Sequence, residues 1–269
     1  MRVTDSLDAF AQPCAFVPTM GALHAGHQSL ISMARNYCTE VLVSVFINPL
    51  QFEDPDDLAK YPKTPQIDEN LAQAAGATIL WRPQLGSIYP GDELKLSAGA
   101  LGSIFEGRHR TGHFDGVLTV VNRLFEMVRP RFAIFGEKDF QQLFLIRKMA
   151  AALHPQIEII AAPTIREETG LALSSRNVRL SASGKSAALQ ISQALLSAAM
   201  QVNLTDMTRE LRRLERAPGF ELDYAAIIDE DTFALANSDT LHKRAIVAGW
   251  VEGVRLIDNL ALQNKLARV

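Results

Sequence analysis

Between Cys14 and Ala162, short apolar runs alternate with longer stretches of helical period. CAFVP from Cys14, VLVSVFI from Val41, TILW from Thr78, RFAIF from Arg131 and IEIIA from Ile157 are apolar without alternation, as strands buried on both faces of a parallel sheet must be. Between them, Leu30, Met33, Ala34 and Tyr37 share one face of a predicted helix, and Val117, Val120, Val121, Leu124 and Phe125 form a stripe along another. The alternation predicts β-α-β units, an α/β domain with a parallel sheet flanked by helices. After Pro163 the pattern changes. A polar stretch, REETGLALSSRNVRL, precedes an Ala- and Leu-rich helix from Ser183 to Val202 and a second helix from Met207 to Arg216. Apolar runs at Tyr224 to Ile228, Ala245 to Trp250 and Val254 to Ile257 are short enough to be strands of a separate sheet. The boundary falls near Ile165, dividing residues 1–165 from a smaller α+β C-terminal domain, residues 166–269.

Composition narrows the classes of partner. Hydrophobic residues make up 48% and charged residues 21% of the 269 positions, enough apolar material for sizeable cores. A formal charge of -3 supplies no basic excess for a nucleic-acid backbone and favours small-molecule partners. Cys14 and Cys38, the only cysteines, are too few for a disulfide framework and have no zinc-type spacing. MRVTDSLDAF lacks the basic start and apolar run of a signal peptide, and no apolar stretch reaches the ~20 residues of a membrane span, so a cytoplasmic location is expected.

The chemistry-bearing residues gather where predicted strands give way to helices. PTMGALHAGH, Pro18 to His27, follows the first run and opens the first helix. Gly21 and Gly26 allow close backbone approach there, and the helix start offers unpaired N–H groups at a positive dipole end, which suits a triphosphate. His24 and His27 can turn both imidazoles to one site in a first helical turn; a shared zinc lacks a third ligand in the segment. FINPLQF after the second run brings the uncharged amides of Asn48 and Gln51 and opens a Pro- and Asp-rich stretch, Asn48 to Pro65, expected as one long ordered loop of the kind that carries function. FGEKDFQQL brings Lys138, a cation at a helix start that calls for an anionic partner, while Asp139 with Gln142 also fits a helix cap. LSSRN concentrates Ser174, Ser175 and Arg176, two hydroxyls and a guanidinium able to clamp phosphate. EGRHRTGHFDG adds Arg110 and His113 in a loop that could close over a ligand.

PTMGALHAGH, FINPLQF, TGHFDGVLTVVNRLF, FGEKDFQQL and GLALSSRN, with RLIDN at Arg255 to Asn259, together resemble the pantothenate synthetase family of the HxGH nucleotidyltransferase-like superfamily, in order and spacing. The resemblance implies a Rossmann-like N-terminal domain, a C-terminal lid, a homodimer, and condensation of pantoate with β-alanine using ATP and Mg2+ through a pantoyl adenylate. It assigns Met20, His24, Gly26, His27, Gly136, Lys138, Asp139, Ile165, Leu173, Ser174, Ser175 and Arg176 to ATP, with His24, His27, Lys138 and Arg176 catalytic. Gln51 and Gln142 are assigned to pantoate, and Asn48, Arg110 and His113 to the cavity. Ile67 stands where many relatives carry an acid beside Asp68, leaving Asp68 as the candidate magnesium ligand and the phosphates as its expected main holders. Two rivals remain: a nucleotidyltransferase that leaves AMP on a phosphate, which the uncharged Gln51 and Gln142 disfavour, and a non-catalytic nucleotide sensor, which Lys138 and the Ser-Ser-Arg run disfavour.

Overall fold

The computed structural model describes residues 1–7, 14–53 and 55–262. Its elements in chain order are β1 (Arg2–Thr4), β2 (Ala15–Thr19), α1 (Ala25–Ala34), β3 (Val41–Val45), α2 (Pro55–Ala59), α3 (Pro65–Ala74), β4 (Ile79–Trp81), α4 (Leu85–Ile88), α5 (His113–Val128), β5 (Phe132–Gly136), α6 (Phe140–Leu153), β6 (Glu158–Ala162), α7 (Ala182–Ala199), α8 (Leu204–Arg212), β7 (Glu221–Asp229), β8 (Lys243–Val251) and β9 (Val254–Leu262). Among the described residues, no helix is long and apolar enough to cross a membrane.

The chain divides into two units: Met1–Glu137 with Gln141–Pro163, and Lys138–Phe140 with Thr164–Val269. In the first, every strand pairing is parallel, in the order β1-β4-β3-β2-β5-β6. The five apolar runs are its inner strands and β6; Ala15, Phe16 and Val17 of β2 and Val41, Leu42 and Val43 of β3 are fully buried, the state that unbroken apolarity requires. All five residues of the α5 stripe are buried too. The chain runs from β2 outward through β3 to β4, then returns to the other side of β2 with β5 and β6. The order therefore reverses between β2 and β5, and the crevice at the carboxyl ends of those two strands is where an open parallel sheet binds ligands.

The second unit carries an antiparallel sheet, β7-β8-β9. Glu252 and Gly253, with φ of 52° and 73°, close the β8–β9 hairpin in two left-handed residues, the twist that a tight hairpin favours. Ile191 and Leu195 of α7 and Met207 and Leu211 of α8 share an apolar core with Ile227, Val247 and Leu256 of the three strands.

Two local readings change. The stretch from Asn48 to Pro65, expected as one long loop, holds a 3-10 turn at Pro49–Gln51 and helix α2. Tyr37 lies beyond the end of α1 and is 40% exposed, whereas Ile31 carries the buried face.

Candidate active site

The loop after β2 is built from the inside outward. Thr19 donates its hydroxyl to the Ser44 carbonyl of β3 at 2.7 Å and accepts the Gly21 N–H at 3.2 Å, fixing the exit from the strand. Gly21 and Ala22 then take φ of 84° and 49°. A side chain at Gly21 would also strike Val45 Cγ1 and Asp68 Oδ2, at 2.9 and 3.0 Å. Asp68, 2% exposed on α3, accepts the N–H groups of Ala22 and Leu23 and the Thr64 hydroxyl. Its carboxylate is thus an organiser of this loop, a role with no signal in the sequence because the partners are 45 and 46 positions away.

Helix α1 begins with an uncommon cap. His24 is the N-cap; its Nδ1 accepts the Gly26 N–H at 3.1 Å, while His27 Nδ1 accepts the His24 N–H at 3.3 Å. Two imidazoles occupy the places that a hydroxyl and a carboxylate normally fill in a capping box. Each Nδ1 that accepts an amide hydrogen carries none of its own, so in the neutral ring the hydrogen sits on Nε2. The rings lie 4.2 Å apart between centroids. The first turn contains no acidic residue of its own, and the Asp68 carboxylate of α3 is engaged with the Ala22 and Leu23 N–H groups just before the cap. Gly26 is required for this cap, because an added Cβ would come within 2.8 Å of the His24 ring. Met20 is half-buried just before it.

The loop after β3 carries Asn48 and Gln51, 1% and 8% exposed. Asn48 caps the 3-10 turn through the Leu50 N–H and donates to Gln51 Oε1 and the Gly116 carbonyl, both at 3.0 Å. Its carbonyl oxygen also accepts the Tyr89 hydroxyl at 2.7 Å. Asn48 is therefore consumed in holding Gln51, whose Nε2 has no acceptor among the described residues. Buried His113 donates from Nδ1 to the Gln51 backbone carbonyl at 2.9 Å, and its Nε2 accepts from Arg110 Nη1 at 3.0 Å. Arg110 and His113 are thus tied to this loop. Gly116 lets α5 approach it: a Cβ there would lie 2.3 Å from the Leu50 carbonyl oxygen and 2.7 Å from the Gln51 nitrogen.

Gly136 ends β5, beside the switch point, and among the described residues an added Cβ would meet only Leu30, at 3.9 Å. In the first turn of α6 the two glutamines separate. Gln141 is buried, donates to the Leu101 and Ile104 carbonyls and accepts the Glu106 N–H, while Gln142 is half-buried with no partner for its amide among the described residues. Gln141, Tyr89 and Gly116 are the contributors that sequence reasoning missed, and Asp68, expected as a magnesium ligand, is found organising the loop before α1. Only Gly116 left a signal, a glycine inside an apolar helix stripe, which usually has a packing reason.

The second unit holds the remaining candidates. Lys138 lies in the 3-10 turn Glu137–Asp139, with its carbonyl accepting Asn259 Nδ2 at 2.8 Å. Buried Arg244 donates to Asn259 Oδ1 and Glu230 and stacks over Phe140, 4.0 Å from the ring centroid, so the lysine's backbone is anchored to β8 and β9. Asp139 is exposed. Leu173 donates its N–H to the Ile165 carbonyl at 2.9 Å across a bridge between Arg166 and Ala172. Ser174 caps the turn Ser175–Arg179 by accepting the Arg176 N–H, which leaves its own hydrogen to donate; Ser175 and Arg176 are exposed.

A family model described as pantoate-beta-alanine ligase matches residues 2–261. A pantothenate synthetase from Acidothermus cellulolyticus is 43% identical over 264 residues, covering 95% of this chain and 87% of the relative. One from Nocardioides sp. is 45% identical over 270 residues, covering 94% and 80%. Among solved structures, the pantothenate synthetase from Thermus thermophilus superposes with a TM-score of 0.91 at 39% identity, over 98% of this chain and 100% of that one. The pantoate-beta-alanine ligase from Francisella tularensis, complexed with beta-gamma ATP and beta-alanine, gives 0.76 at 35% identity, over 93% and 89%. With the match running almost from end to end and the fold shared, this chain belongs to the pantoate–β-alanine ligase family, the pantothenate synthetases.

Proposed function

We propose that the chain is an ATP-dependent ligase that joins pantoate to β-alanine through a pantoyl adenylate. The observation that carries this reading is the histidine-capped start of α1 beside the sheet's switch point, where two imidazole rings lie 4.2 Å apart at a helix N-terminus. That arrangement suits the phosphates of ATP. The pantoate carboxylate, ionised at neutral pH, attacks the α-phosphorus and pyrophosphate leaves with the electrons of the broken P–O bond. The free amine of β-alanine then attacks the acyl carbon, AMP departs with its bonding pair, and the nitrogen's surplus proton passes to water. We assign His24 and His27 to the charge that builds on the phosphates, and Lys138, Ser174, Ser175 and Arg176 to the same task. Met20, Gly26, Gly136, Asp139, Ile165 and Leu173 are assigned to the nucleotide, and Gln51 and Gln142 to pantoate.

The fit to magnesium is a fit to the nucleotide. Among the described residues, no group of three His, Cys, Asp or Glu could hold a metal ion. Asp68 already accepts from Ala22, Leu23 and Thr64. Magnesium therefore enters as part of the substrate MgATP. A cytoplasmic location and a homodimer complete the reading, the second testable by light scattering of the purified protein.

Pantoate-dependent exchange of labelled pyrophosphate into ATP, measured without β-alanine, tests the split reaction. Exchange is expected with pantoate alone, and equal yields of pantothenate and AMP once β-alanine is added. Formation of ADP, or exchange that requires β-alanine, sinks the adenylate.

A further inference from the structure

The Asn48 amide is surrounded by neighbours whose polarity the backbone dictates. Its Oδ1 faces the Leu50 N–H at 3.2 Å, which can only donate, and its Nδ2 faces the Gly116 carbonyl at 3.0 Å, which can only accept. The other Nδ2 hydrogen points at Gln51, so the Gln51 atom that receives it, at 3.0 Å, is the oxygen. Turning the Gln51 amide over would set two N–H groups against each other. The Tyr89 hydroxyl completes the arrangement by donating to Asn48 Oδ1 at 2.7 Å, the shortest of the four bonds. Burial, with the Glu93 charge adding to it, raises the Tyr89 hydroxyl above the ordinary phenol range, so it stays a donor at physiological pH.

We propose that Tyr89 is a positioning residue that, alongside the Leu50 and Gly116 backbone, braces Asn48 and so keeps Gln51 in the orientation in which this subsite offers an N–H donor and selects an acid with an acceptor oxygen there. The proposal rests on the reading of Gln51 as a pantoate-binding group. A carboxylate or hydroxyl oxygen meets such a donor. An ammonium or any other group with only hydrogens to offer is rejected, because it would leave a nearly buried N–H unpaired. Gln51 touches the acid, Asn48 holds Gln51, and Tyr89 holds Asn48.

Steady-state kinetics of the whole chain test it. Tyr89→Phe keeps the ring packed 6.1 Å from Phe46 and removes only the hydroxyl. The pantoate KM is expected to rise about three- to tenfold, the worth of one hydrogen bond, with kcat and the ATP KM nearly unchanged. In a Gln51→Ala background the same substitution is expected to add nothing, since its route of action has been removed. Gln51→Glu keeps an acceptor for Asn48 but puts oxygen where the N–H was, and should harm pantoate binding at least as much as Gln51→Ala. A wild-type pantoate KM in Tyr89→Phe beside a damaged Gln51→Ala, or effects of the two that add in full, would overturn the polarity role alone. An unchanged pantoate KM in Gln51→Ala overturns the assignment of Gln51 to the acid, and this proposal with it.

Discussion

Two glycines at the candidate site have opposite surroundings, and their substitution separates packing from ligand binding. At Gly116 an added Cβ collides with backbone atoms of Leu50 and Gln51, which cannot turn aside as a flexible side chain would. Gly116→Ala is expected to cost about 1–3 kcal/mol of stability and to raise the pantoate KM by displacing Gln51. At Gly136 an added Cβ would meet, among the described residues, only Leu30 at an ordinary contact distance, so their packing does not demand glycine. Gly136→Ala should leave the melting temperature level or slightly higher, and should raise the ATP KM on the proposed assignment of the open side to the nucleotide. If the ATP KM of that variant is unchanged, Gly136 leaves the nucleotide site. At this scale, the sequence revealed residue types but not their division of labour. Asn48 and Gln51 look equivalent in FINPLQF, yet one is saturated by neighbours and the other presents a free end. The partners that decide this, Tyr89 and Gly116, lie 41 and 68 positions from Asn48.

Elements were the most legible level, since burial on both faces of a parallel sheet writes continuous apolar runs; β2 to β6 match those runs to within two residues at their ends, although β6, at the sheet edge, is mostly only half-buried. β1 did not show, because three residues with exposed Arg2 and Val3 at a sheet edge carry no periodic signal. The start of α1 was legible as a candidate site but not as a cap, since histidine is no usual cap residue. That double role can be separated. Asparagine is a strong N-cap but has no group that reaches as far as Nε2, so His24→Asn should keep the melting temperature near that of the parent. His24→Ala should lose about 1 kcal/mol, and turnover should fall by roughly 10²-fold in both, the usual consequence of removing an oriented donor. Full turnover in His24→Asn would leave His24 a cap and nothing more.

For the whole molecule, buried and half-buried titratable groups with displaced pKa values contribute to the pH dependence of stability. His154 is buried with Nε2 donating to Asn122 Oδ1 at 2.7 Å, and desolvation holds its pKa below the ordinary value despite the nearby Glu126 charge. Its proton is taken up first by the unfolded chain. The contribution is therefore full above ~6.5 and is lost as pH falls toward the depressed folded value. Cys14, wholly buried at the entry to β2, behaves in the opposite sense: burial, followed by the charges of Cys38 and Glu40, pushes its thiol from 9.0 up to about 12. Above pH ~9 the unfolded chain loses this proton first, and stability drains away as pH climbs toward the folded value. The raised Tyr89 hydroxyl adds to the same alkaline loss from about pH 10 upward. Thermal melts across pH should therefore show a plateau between roughly 6.5 and 9 that declines on both sides. His154→Gln is expected to flatten the acid slope and Cys14→Ala the early alkaline slope, whatever either does to the height of the plateau. The slopes, not the melting temperatures themselves, carry the test. An acid slope that survives His154→Gln intact would mean that carboxylates, not this imidazole, set the lower limit.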